Sequence, residues 1–68
     1  MNSDQTLIQS AYEDAIKRLY AALFDEYAQA GGDATQEQQA DQHFTIGVGL
    51  ARSSRDRATA LLASLNGK

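Results

Sequence analysis

His43, the single histidine of the sequence, follows Glu37 and Asp41 closely enough to suggest a metal site. Ligands on a helix must share a face, and side chains three or four positions apart do so. Residues 37, 41 and 43 do not share one, and the residues four away from His43 are Gln39 and Gly47. A capping or surface histidine is the expectation, with no metal and no cofactor. The run GVGLARSSRDR, residues 47–57, has the glycines of a phosphate-binding loop. It lacks the lysine and preceding strand of a Walker motif and the third glycine of a dinucleotide fingerprint. Arg52, Arg55 and Arg57 point in three directions round a helix and make no compact basic stripe. The chain has no cysteine, one histidine and no serine spaced to a base and an orienting acid. No catalytic residue is assigned, and the chain is read as a non-enzyme.

Two further groups of side chains suit binding. Tyr12, Tyr20 and Tyr27 recur at intervals of eight and seven along one flank of the first apolar segment, with Phe24 beside them. Aromatic side chains at an edge either pack with their hydroxyls in water or form an anchor strip for a partner. Tyr12, Tyr20, Phe24 and Tyr27 are therefore a candidate partner-binding strip. Arg55 interrupts an apolar seam, where an unpaired charge is costly. Its expected environment is a carboxylate of the bundle or a tyrosine ring beneath a solvent-reaching guanidinium.

These groups are positioned by two helical patterns. From Asp4 to Ala30, the residues Ile8, Tyr12, Ala15, Ile16, Leu19, Leu23, Tyr27 and Ala30 fall three or four apart and make one stripe. Asn2, Ser3 or Thr6 is the candidate cap at its start. Gly31 and Gly32 break the pattern, suited to the positive φ that ends a helix, and Asp33 or Thr35 caps the second helix. Residues 36–42 are polar enough to fray or project. Phe44, Val48, Ala51, Arg55, Ala58, Leu62 and Leu65 then keep an unbroken heptad spacing. Residues 44–50, FTIGVGL, also alternate like a half-buried strand. The heptad accounts for far more chain, so the stretch reads as helix. Asn66, Gly67 and Lys68 suit its stop.

Gly47 and Gly49 each disfavour a helix interior by about 1 kcal/mol relative to alanine. Something offsets that cost: Gly47, Ala51, Ser54 and Ala58 are small residues at helical spacing, and the glycines are read as a groove admitting another helix. A short break between the segments makes them antiparallel neighbours. The expectation is an all-α fold, a two-helix antiparallel hairpin with helices at about 4–30 and 35–65, in one domain spanning 1–68.

A chain this short buries only about 60% of its unfolded surface, so a lone hairpin is marginal. Without cysteine, neither disulfides nor thiolate zinc can staple it. The second helix also carries Ile46, Leu50 and Leu61 away from its seam, and the first carries Leu7 and Phe24 away from its stripe. One facing helix cannot cover all of them. A homodimer forming a four-helix bundle is the simplest remedy. Its expected interface is Phe44, Ile46, Gly47, Val48, Leu50, Ala51, Arg55, Ala58, Leu61 and Leu62. Charge divides to match: residues 1–42 carry eight acidic side chains against Lys17 and Arg18, while residues 43–68 carry four basic ones against Asp56.

A formal charge of -3 and a pI near 4.7 disfavour nucleic acid and anionic membrane as general partners. No apolar run reaches the roughly 18 residues of a membrane span, and Asp4, Glu13 and Asp14 interrupt any signal-peptide core. The expected location is cytoplasmic. The functional expectation is a non-catalytic interaction module, a small adaptor, regulator or chaperone, binding itself and another protein. The alternative is a dimeric two-helix RNA-binding regulator, its arginines brought together by dimerisation.

Overall fold

The computed structural model of the chain describes residues 3–67, and these form two helices joined by a tight turn. Helix α1 runs Ser3–Ala30 and helix α2 runs Ala34–Asn66, packed against each other as an antiparallel hairpin. Among the described residues there is no strand, so the alternation at 44–50 is a coincidence of apolar positions along a helix. No helix of the described chain is long and apolar enough to cross a membrane.

The turn is built from local backbone chemistry. Gly31 and Gly32 take φ of 58° and 90°, a region where a Cβ is strained, and this reverses the chain within two residues. The Asp33 amide donates to the Ala30 carbonyl at 3.0 Å, closing the end of α1. Asp33 is also the cap of α2: its Oδ1 accepts from the amides of Thr35 at 2.9 Å and Gln36 at 3.1 Å. Two amides that a helix start leaves orphaned are satisfied this way. The cap explains why residues 36–42, polar as they are, neither fray nor project but continue the helix.

Two boundary expectations change. Thr6 lies inside α1 and does not cap it, while Asn2 and Lys68 fall outside the described residues. Gly67 ends α2 at φ -75°, with its amide donating to the Ala63 carbonyl at 2.9 Å, so the stop needs no left-handed residue.

Packing follows the two seams. Ile8, Tyr12, Ala15, Ile16, Leu19, Leu23 and Glu26 are the half-buried positions of α1, ending on buried Ala30. Their counterparts on α2 are Glu37, Phe44, Gly47, Val48, Ala51, Arg55, Ala58 and Leu62, with buried Ala40 among them. Tyr27 and Leu65 depart from the expectation and are exposed, with Glu26 half-buried where Tyr27 is expected. Antiparallel register puts Leu65 level with the start of the described part of α1.

Fully buried surface is scarce. Only Ala30 and Ala40 are buried among the described residues, and the Cα envelope measures 54 × 15 × 10 Å. A compact 68-residue domain has a radius of gyration of roughly 11 Å; here it is 15.8 Å. The molecule is a thin slab two helices wide, and every side chain off the seam faces outward.

Candidate functional site

A slab has two broad faces, and the hairpin sorts its leftover apolar side chains onto both. One face carries an open groove of ≈ 580 Å³ between the helices, lined from α1 by Ala11, Ala15 and Arg18 and from α2 by Leu50, Ser54 and Ala58, among others. Small side chains leave this space: alanine and serine line it where larger residues would fill it. Leu50 is 64% exposed on its rim. At 100° per residue, Ile46 and Leu61 lie within about 40° of Leu50 round α2, and Leu7 lies within about 40° of Ala11 round α1. All four are exposed. They form an apolar face that runs from mid-hairpin to the free ends.

The opposite face is aromatic. Tyr20, Leu23, Phe24 and Tyr27 line a shallow apolar hollow on α1 alone. Tyr20 and Tyr27 stand about 160° or more round the helix from Arg18 and Ala11, which places them across the slab from the groove. Phe24, also 64% exposed, is the outermost of them.

The expected interface residues therefore divide. Phe44, Gly47, Val48, Ala51, Arg55, Ala58 and Leu62 sit half-buried on the seam within the hairpin. Ile46, Leu50 and Leu61 sit on the groove face. The aromatic strip divides too: Tyr20, Phe24 and Tyr27 stay together, whereas Tyr12 turns into the seam beneath Arg55, whose guanidinium carbon is 4.4 Å from the ring centroid. At this distance the cation meets the negative face of the ring. The Arg55 Nε also donates to Asp56 Oδ1 at 3.1 Å. The guanidinium thus covers apolar seam with its stem and satisfies its head at the edge.

The glycines part company. A Cβ on Gly47 would stand 2.4 Å from Leu19 Cδ2 and 3.3 Å from Leu19 Cγ, so the missing side chain is the space into which Leu19 packs. Gly49 meets nothing within 4 Å. The groove reading holds for the first and is corrected for the second, which faces open space.

Sequence reasoning missed two polar contacts near the turn. His43 Nδ1 lies 3.0 Å from Glu26 Oε1, and the Tyr27 hydroxyl donates to Asp41 Oδ1. The signal for the first was Glu26 on the edge of the α1 stripe, opposite His43 in antiparallel register. The Tyr27 hydroxyl has a pKa raised above its ordinary value, first because it donates to Asp41 and then through burial and the nearby Asp41 and Glu37 charges. Among the described residues no group of three His, Asp or Glu side chains gathers around a point that would hold a metal ion. Comparison with protein-family models, with curated proteins and with solved structures finds no match.

Proposed function

We propose that this hairpin is a non-catalytic interaction module that works as a homodimeric four-helix bundle, using one face for itself and the other for a protein partner. The observation carrying this reading is surface area. A compact monomer of 7.4 kDa exposes roughly 4200 Å², whereas this hairpin exposes 5177 Å². The excess is close to the ~800 Å² that each partner buries in a standard protein interface. The groove face is where Ile46, Leu50, Leu61 and Leu7 supply exposed apolar surface. Each such side chain contributes roughly 1.5 to 3 kcal/mol when fully buried. In a two-fold dimer each counts twice.

The aromatic face is left for another protein. Tyr20, Phe24 and Tyr27 have the chemistry of binding hot spots, large rigid rings with polar tips beside a hollow. Cytoplasmic location belongs to the same proposal.

Sedimentation equilibrium of two paired variants tests it. Ile46→Ser with Leu50→Ser should shift the mass from twice 7.4 kDa towards a single chain, while Tyr20→Ser with Phe24→Ser should leave the dimer intact. A dimer lost in the second pair and kept in the first would reverse the assignment of faces. RNA binding that falls steeply with added salt would replace the reading with the RNA regulator.

A further inference from the structure

The groove face is uneven along its length, and that unevenness selects how two copies meet. Near the turn the same face holds Glu26, Gln29, Gln36, Gln39 and His43, a polar cluster around a separate small hollow. Ile46 and Leu50 occupy its middle, and Leu7 and Leu61 lie towards the free ends. Two copies meeting with turns at opposite ends would press Leu7 and Leu61 of each onto the glutamines of the other. Burying leucine against unsatisfied amides loses on both sides of the contact. With turns at the same end, apolar meets apolar and polar meets polar over the whole face.

The charge distribution agrees with this choice on α2. On this face α2 presents Arg57 and His43, while Glu37 and Asp41 lie about 160° away round the wheel from Arg57 and Asp56 about 100° away, towards the seam or the far face. Helix α1 presents Asp4, Asp14, Asp25 and Glu26 to this side, with Arg18 between Asp14 and Asp25 in height. A two-fold axis along the hairpin lays α1 of one copy on α2 of the other, with neighbouring helices antiparallel throughout. A two-fold axis across the hairpin lays α1 on α1 and α2 on α2, which takes Arg57 of each copy away from the acidic side chains of the other copy's α1. In the first arrangement Arg57 stands level with about residue 10 of the facing α1, about one turn from Asp14, and His43 stands level with about residue 24, beside Asp25.

We propose that the groove face takes a second copy of this chain with both turns at the same end, α1 of each copy packed on α2 of the other. This rests on the dimer reading above and specifies its geometry. Arg57 of each copy then lies near acidic side chains of the partner's α1, and the groove lined by Ala11, Ala15, Ser54 and Ala58 receives the Leu50 rim of the partner copy.

The chain has no cysteine, so a single nitroxide can be placed at will. Thr35→Cys, exposed beside the turn and off the groove, is the labelling site. Double electron-electron resonance, with mass measured on the same labelled sample, reads the separation of the two turns. The proposal expects about 35 Å or less, given helix spacings of 8–10 Å plus two label arms. Turns at opposite ends would give a separation approaching the 54 Å length of the hairpin. A long distance in a sample of dimeric mass, alone or mixed with a short one, overturns this geometry and leaves the dimer standing. Monomeric mass without dipolar coupling overturns the geometry and the dimer together.

Discussion

The half of the hairpin next to the turn and the half next to the free ends are made of the same two helices but closed differently. Near the turn, Ala30 and Ala40 let the helices approach until both are buried, and Tyr27–Asp41 and Glu26–His43 bridge the flanks. Towards the free ends, alanine, serine and glycine also line the interface, yet the space between the helices stays open as a groove. Small residues permit close approach without guaranteeing it. What differs is that the turn half has a two-residue tether and polar clips on its flanks, whereas the open half is rimmed by Leu50 and Leu61. The same residue types thus close a seam at one end and offer one at the other.

The sharpest way to break this comparison is to overfill the closed half. Ala40 is 1% exposed, so Ala40→Leu has nowhere to put three extra carbons without parting the helices near the turn. Overpacking of this kind costs about 1–3 kcal/mol. Thermal unfolding should show a midpoint several degrees lower, while Ala60→Leu, exposed on α2 towards the free ends and outside the groove lining, should be tolerated far better. Equal losses at the two sites would mean that Ala40 is no more tightly packed than an exposed position.

A smaller effect separates the two glycines. Gly49→Ala should raise the midpoint, because the added methyl meets nothing and the helix gains up to about 1 kcal/mol. Gly47→Ala gains the same propensity but must push Leu19 aside. Its net change should fall below that of Gly49→Ala in the same unfolding experiment, and a larger gain at Gly47 would remove the packing role assigned to it.

The smallest effect is alkaline. The folded-state pKa of Tyr27 is raised above its unfolded value, ordinarily near 10. Its contribution to stability is therefore fully present below that unfolded value and is lost as pH rises through the raised one. Tyr27→Phe lacks this contribution and should lose less stability between pH 9 and strongly alkaline solution, read from denaturant midpoints. Identical alkaline slopes would show that the hydroxyl bridge to Asp41 adds nothing to the closed half.

Much of the architecture was legible in the sequence because the signals were periodic. The spacing of Ile8 to Leu23 with Ala30, and of Phe44 to Leu62, marks the half-buried and buried positions, with Tyr27 exposed and Glu26 half-buried in its place, and Gly31–Gly32–Asp33 marks the turn with its cap. The bridges of Tyr27 and His43 were not legible, since a contact across the hairpin depends on register, and register is set by the turn geometry and by Leu19 seating on Gly47. Leu65 misled for a related reason: it keeps the heptad but lies level with the start of the described part of its neighbour. Gly49 misled because composition cannot tell a glycine that yields space to a neighbour from one that faces none. The division of the apolar residues between two opposite faces needed the hairpin itself, as a wheel drawn for one helix does not say which flank of its mate lies alongside.

Dimerisation depends on α2 offering apolar surface that its own hairpin mate cannot cover. Light scattering from high to low micromolar protein, with helical circular dichroism followed on the same dilution series, addresses this most directly. The expected result is twice the 7.4 kDa chain mass, with helicity falling as the dimer dissociates. A single-chain mass with full helicity at every concentration would contradict it.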